Sequence, residues 1–357
     1  MSSSPVSPRA RWLNTPLVDE VSLAPSAPQD ARPWWRQAAE RGWFALALPA
    51  AWGGQGGDRA DLWALAERLG QAGVPAGAAV PPLFEALVVH HYFGHADAPG
   101  DLRRALLNGE ALAAVATSEP EIGANPKHLS TRAVPTGRGW RLSGIKAPVT
   151  HGLEASVFLV LAITGEQGAQ RRFSVFAVPR AASGVSIDPL SGPMAGHARV
   201  RLDGVEVPSS ALIGPEGEAL EALARPFRLQ EQAVLLAYAL GVATRLGVVL
   251  ATQPGIEPAR VGAAMAPVAA LGAILAHLAR SGAVDARFEA ALTGALEQLE
   301  AAQRLLLPEL KGVAAAREPA AALQQMAFFL LRAKPRAHDR LGRSLIRQNQ
   351  HTGSVNA

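Results

Sequence analysis

The sequence predicts a multidomain α+β protein: a helical N-terminal domain over residues 1–112, a small central β-barrel or sandwich domain over 113–214, and a C-terminal helical bundle over 215–357. Three observations carry this. Apolar residues recur at helical spacing up to about residue 110. From residue 113 to 214 the texture changes to short β-branched and aromatic runs between glycine turns, among them 156–164, 172–178 and 199–202. After residue 218 the chain becomes alanine- and leucine-rich with Pro and Gly at intervals, the pattern of four or five packed helices.

Composition narrows the class. A chain of 357 residues with 49% hydrophobic content can bury one large core or two to three smaller ones. Lys and Arg exceed Asp and Glu by 34 to 30, which over this length reads as a solvated basic surface and not a nucleic-acid face. The absence of cysteine excludes disulfides, thiolate catalysis and Cys-ligated metal. Residues 1–11 are rich in Ser, Pro and Arg without an apolar run, so a flexible lead-in and a cytoplasmic location are expected. The run 233–251 approaches the roughly twenty residues of a membrane span, but Arg245 interrupts it and a buried bundle helix is the expected form. The basic stretch 332–347 reads as a surface helix and not a nucleic-acid arm.

In the first domain a helix is expected over 34–41. Gly53-Gly54, after Trp52, predicts a loop, because glycine adopts backbone angles that other residues resist. A phosphate cradle would need a preceding strand and a following Lys-Ser/Thr, and neither is present. Asp58 or Asp61 caps the next helix, where Leu62, Leu65, Ala66 and Leu69 recur on one face. Residues 81–93 form a further apolar helix stopped by Gly94. His90, His91 and His95 cluster there without a carboxylate at suitable spacing, so no metal site is expected. In the central domain, Asp203-Gly204 signals a hairpin turn. Pro208 signals a strand end, since proline cannot donate to a ladder.

The chemistry concentrates in 115–152. This stretch opens with Thr117-Ser118-Glu119-Pro120-Glu121-Ile122-Gly123-Ala124-Asn125 and closes with Lys146-Ala147-Pro148-Val149-Thr150-His151-Gly152. The domain then ends in Val205-Glu206-Val207-Pro208 and Leu212-Ile213-Gly214. The pattern resembles the acyl-CoA dehydrogenase family, in which T-E-P-x-x-G-S-D is followed by K-x-W/F-I-T-N-G and by a V-x-V-P exit. The turn at Trp52-Gly53-Gly54-Gln55-Gly56 and the segment Leu106-Leu107-Asn108-Gly109-Glu110 are similar to family features too, and the likeness covers about residues 33–250. It implies FAD as cofactor, with the flavin ring against Val115, Thr117, Ser118, Val149 and Thr150. It also implies an acyl-CoA or other acyl thioester substrate, dehydrogenated between its α and β carbons as in fatty acid metabolism.

Several contact groups depart from the family pattern. Ala124 and Asn125 stand where the family has Ser and Asp, and Pro148 replaces the aromatic that stacks on the flavin. The family's R-x-x-F-G, whose Arg reaches the flavin pyrophosphate, is replaced around Ala251-Thr252-Gln253-Pro254-Gly255-Ile256 by residues with no cation. The family's Q-x-x-G-G keeps Gln325 but has Phe328 and Phe329 for glycines. Each lost charge-assisted contact costs about 1.5–3 kcal/mol.

The family's reaction also needs a carboxylate base. No Tyr-Glu-Gly occurs near the C-terminus, but Glu231, ten residues before Gly241, matches the family's second arrangement, E-R-L-x-x-A-x-x-x-x-G, with Gln232 for the Arg. The resemblance therefore implies Glu231 as base. On the residues alone, a surface glutamate paired with Arg228 one turn back stays open. The family further implies a homodimer or tetramer, or a heteromer with another acyl-CoA dehydrogenase subunit, and no nucleic-acid or membrane partner. The alternative to catalysis is a non-catalytic subunit of this kind supporting a flavin-bearing partner.

Overall fold

The computed structural model describes residues 32–95, 98–168, 170–191, 196–331 and 338–339. The expected lead-in at 1–11 and most of the basic stretch 332–347 lie outside the described residues. Among the described residues four helices come first: α1 Arg32–Glu40, α2 Arg59–Ala72, α3 Ala76–Phe93 and α4 Gly100–Leu107. Both candidate caps of α2 act together. The Asp58 carboxylate accepts from the Ala60 and Asp61 N–H groups, and Asp61 accepts from the Asp58 N–H at 2.9 Å. The double glycine is a packing requirement: a Cβ on Gly54 would lie 1.9 Å from the Leu48 carbonyl oxygen, and Gly53 has φ 84°. His90 Nδ1–H donates to the Ala47 carbonyl and His91 Nε2–H to the Leu223 carbonyl, at 2.6 and 2.8 Å.

Eight strands follow: β1 Ala113–Ala116, β2 Arg132–Thr136, β3 Gly139–Thr150, β4 Val157–Gln167, β5 Gln170–Pro179, β6 Val185–Pro189, β7 His197–Pro208 and β8 Leu212–Ile213. They form one sheet in the order β6-β7-β3-β2-β4-β5-β8, with β1 paired parallel to β4. Alternation along β7 buries Ala198, Val200, Leu202, Val205 and Val207, as period-two side-chain geometry requires. Leu142, Val149, Phe158 and Phe176 complete that core.

One turn signal is used differently from the expectation. Asp203-Gly204 does not close a hairpin; β7 runs through it. The pairs Leu142↔Val205 and Gly144↔Leu202 leave two residues of β7 opposite one of β3. The dipeptide does supply a positive φ, 61° at Gly204, but for a β-bulge, in which one strand carries an extra residue. The Gly204 N–H donates to Ser143 Oγ at 3.2 Å.

A short π-helical turn, Leu220–Ala224, leads into α5 Arg225–Ala251, α6 Pro258–Arg280, α7 Ala286–Glu309 and α8 Arg317–Leu331. The chain forms two compact units, neither of them one continuous segment. One contains Gly57–Leu83 and the described residues from Leu229 onward; the other contains the described residues of Gln29–Gly56 and Phe84–Arg228. In the first unit, α5 lies backbone-to-backbone with α2. A Cβ on Gly70 would stand 2.3 Å from the Tyr238 carbonyl oxygen, and one on Gly241 would stand 1.9 Å from that of Glu67. The Tyr238 hydroxyl donates to the Val74 carbonyl at 2.7 Å, and burial pushes its pKa up.

Among the described residues two helices are long and apolar enough to cross a membrane. The most apolar window of the first, within Leu220–Ala251, is 72% buried, as a core helix would be, whereas that of α6 is only 33% buried. The exposed positions of α6 include the small residues Gly262, Ala263, Ala266, Ala269, Ala273 and Ala276, with Arg260 before them and His277 and Arg280 at the far end.

The close approach of α5 and α2 makes a first prediction. Gly241→Ala inserts a methyl group where backbone stands, so unfolding stability in urea should fall by about 1–3 kcal/mol. An unchanged midpoint would show that the helices separate freely at this crossing.

Candidate active site

The second unit builds the site around a buried ion pair. Lys146 lies on β3 and is fully buried; Glu119, in the turn after β1, is 4% exposed. Lys146 Nζ donates to Glu119 Oε1 at 3.0 Å and to the Thr117 carbonyl at 3.1 Å. The Glu119 carboxylate also accepts from the Ser130 N–H, the Ser130 hydroxyl and the Thr131 N–H, at 2.8, 2.7 and 2.9 Å. The Ala147 N–H then donates to the Ser118 carbonyl at 2.9 Å. Burying two charges costs several kcal/mol each unless they are paired and their remaining groups bonded. Here they are.

Electrostatics follow from this packing. Burial alone would raise the Glu119 carboxyl, but the Lys146 charge and the donated hydrogen bonds outweigh it and hold the group at about 2. Burial pushes the Lys146 ammonium down to about 8, with Glu119 opposing the shift. Both groups are charged at neutral pH.

The clamp joins the two candidate motif segments, 117–119 and 146–147. Thr117, Ser118 and Thr150 are half-buried, and their hydroxyls bond to no other residue among those described. Val115 is half-buried on β1, opposite Leu159 of β4. Val149 is fully buried in the sheet core, so what it can offer a ligand is main chain. His151, at φ 58°, packs edge-on against Trp35 and Phe84 with centroids 5.2 and 5.9 Å away. Removal from water, with His197 nearby, pushes its imidazole down to about 4. A Cβ on Gly152 would stand 2.7 Å from that of Ala198, so glycine is required there.

Glu231 belongs to the other unit, half-buried on α5 between Gln230 and Gln232. The substituted positions are accounted for locally. Asn125 Oδ1 accepts from the Lys127 N–H at 3.2 Å and so serves its own turn. Thr252 and Gln253 donate their side chains back to the Val249 carbonyl. Phe328 is 58% exposed, and the side chain of Phe329 lies outside the described residues. As a flavin-ring edge the region fits in its hydroxyl donors: three half-buried hydroxyls without protein partners could serve polar ring atoms. It departs from the family pattern at the stacking position, where Pro148 is half-buried.

Two features were not read from the sequence as functional. One is the pairing of Glu119 with Lys146, which depends on β3 returning alongside β1. The other is Glu85, a carboxylate 1% exposed on α3; its signal was a lone acid in the apolar run 81–93.

Comparison with known proteins points to one family. Residues 114–205 match the model of the acyl-CoA dehydrogenase middle domain, and residues 13–97 match that of the acyl-CoA dehydrogenase N-terminal domain. The chain belongs to the acyl-CoA dehydrogenase family. It is 28% identical over 194 residues to acyl-CoA dehydrogenase FadE12 of Mycobacterium tuberculosis, covering 53% of this chain and 50% of that one. It is 27% identical over 224 residues to L-prolyl-[peptidyl-carrier protein] dehydrogenase of Pseudomonas fluorescens, covering 59% and 57%. The chain thus matches about half the length of these relatives. Its fold is similar to a chain of the ChsE4–ChsE5 complex of Mycobacterium tuberculosis, with a TM-score of 0.72 at 20% identity, covering 97% of this chain and 99% of that one.

The ion pair makes the second prediction. Lys146→Met strands a buried carboxylate and should cost about 3–5 kcal/mol, while the double variant with Glu119→Leu should cost less than the two single effects summed. The pH dependence has a definite sign. Glu119 has its folded pKa depressed from 4.5 to about 2, so its contribution is present above 4.5 and is lost as pH falls through about 2. Denaturant unfolding across that window should show a loss of stability that Glu119→Gln removes.

Proposed function

We propose that this protein carries out flavin-dependent α,β-dehydrogenation of an acyl thioester, acyl-CoA being the expected form. The observation that carries the reading is the Lys146–Glu119 clamp. It draws together the two segments that the family uses at the flavin ring and leaves the hydroxyls of Thr117, Ser118 and Thr150 available. When bound, FAD supplies the hydride acceptor for the substrate β-carbon. These hydroxyls, with main-chain groups at Val115 and Val149, would hold the polar edge of the ring. Glu231 removes the α-proton. Buried Ala233, Val234 and Leu236 follow it on the same helix.

A second reading has its own support. Pro148 in place of an aromatic, Asn125 engaged in its own turn and the cation-free segment 251–256 are what a non-catalytic subunit supporting a flavin-bearing partner would carry. The exposed small residues of α6 favour association in either case, as a homodimer, a tetramer or a heteromer. A fold like that of a chain in the ChsE4–ChsE5 complex is consistent with the heteromer.

The deciding experiment is anaerobic flavin bleaching with a panel of acyl-CoAs. Removal of a general base lowers rates by about a hundred- to ten-thousandfold, and Glu231→Gln should bleach that much more slowly than wild type. Equal rates would remove Glu231 from the mechanism. A wild type that holds flavin and bleaches with no thioester would move the protein to the second reading. Thr150→Val, which keeps the shape and removes the hydroxyl, should weaken flavin retention or shift its spectrum; neither effect in a loaded protein would displace Thr150 from the ring.

A further inference from the structure

Among the described residues of the second unit, Glu85 is the one buried carboxyl that the site described above does not use. Its hydrogen-bond partner is the Ala113 N–H, which lies 3.2 and 3.3 Å from its two carboxyl oxygens. No cation or second donor among the described residues reaches it. Glu119 shows what a buried carboxylate takes in this chain: a lysine and three further donors. Glu85 has neither, and burial pushes its carboxyl up to about 8, so it is held as the neutral acid at neutral pH. One oxygen then accepts from Ala113, and the O–H is left without an acceptor.

A second buried donor in the same unit is in a similar state. Trp35 is 1% exposed and its Nε1–H has no partner. Trp35 and Phe84, the helical neighbour of Glu85, both pack edge-on against His151, the residue after Thr150. Ala113 opens β1, and that chain continues through Val115 to Thr117 and Ser118. Four residues of extended chain, about 13 Å, separate the acid's anchor from the proposed ring-facing hydroxyl of Thr117. A buried donor without an acceptor calls for an oxygen-bearing occupant.

We infer that Glu85 is a specificity-determining residue whose O–H donates to an oxygen carried on the acyl chain away from the thioester, so that the favoured substrates are oxo- or otherwise oxygenated acyl thioesters and not plain alkyl ones. This rests on the thioester-binding part of the proposed function and is independent of turnover.

The test measures equilibrium binding, by calorimetry, of paired acyl-CoA probes matched over a short series of chain lengths. One of each pair is alkyl and the other carries an oxo group remote from the thioester. The proteins are the full chain, Glu85→Gln and Glu85→Leu, each checked by thermal unfolding. Wild type should favour the oxo probe by about tenfold or more, since a site built to bond a polar group discriminates strongly. Glu85→Gln, which still donates, should keep a preference, and Glu85→Leu should lose it. Infrared difference spectra should show a protonated-carboxyl band that shifts with the oxo probe and vanishes in Glu85→Gln.

Equal affinities in wild type, an unchanged preference in Glu85→Leu, a band that does not shift, or no thioester binding at all would each overturn the inference. Glu85 would then be an anchor for β1 beside an ordered water only. Selective binding without any flavin bleaching would overturn the dehydrogenase reading and leave this one standing.

Discussion

The Lys146–Glu119 pair is the constraint on which the site depends. A fully buried lysine beside a buried glutamate is tolerated only because every element around them supplies a partner: the Thr117 carbonyl from one side, the Ser130 and Thr131 N–H groups from another. The same bonds fix the turn after β1 against the middle of β3, and the Ala147–Ser118 bond extends the match along the backbone. Loss of one partner leaves an uncompensated charge, which couples the integrity of the site to that of the sheet. The pair is therefore both a stability element and the register mark that sets Thr117, Ser118 and Thr150 at their half-buried positions.

Around this frame the chain keeps scaffold positions and changes contact positions. Gly152 and Gly241 stand where a side chain would collide with backbone or with a packed methyl, and both match the family pattern. Pro148, Ala124 and Asn125, which do not match, sit at half-buried or exposed positions and make few demands on the fold. The family assignment is thus secure in the fold, while the identity of the groups that would meet a ligand has drifted. Glu119 and Lys146, the two charged halves of the clamp, both match the family pattern.

Much of the fold was legible because periodicity is a local property: helical spacing gave way to strands near Ala113 and returned after the sheet. Asp203-Gly204 misled for a physical reason, since a hairpin and a bulge both need a positive φ and the dipeptide satisfies either. The candidate site was legible only where a motif carried it. The partnership of Glu119 and Lys146 spans 27 positions and exists only once β3 has returned beside β1. Glu85 could not be told from a surface acid by sequence, because its burial is set by a strand that begins 28 positions later. Gly241 was legible as a motif position but not as the contact that lets α5 touch α2.

The central claim is that this clamp still frames a working flavin site despite the altered contacts. Titration of the purified protein with FAD, followed by visible absorbance and flavin fluorescence, tests it most directly. The account predicts saturable, stoichiometric binding with a perturbed blue absorbance band that is lost together with the clamp in Lys146→Met. A folded wild-type protein that stays colourless in excess FAD would contradict it.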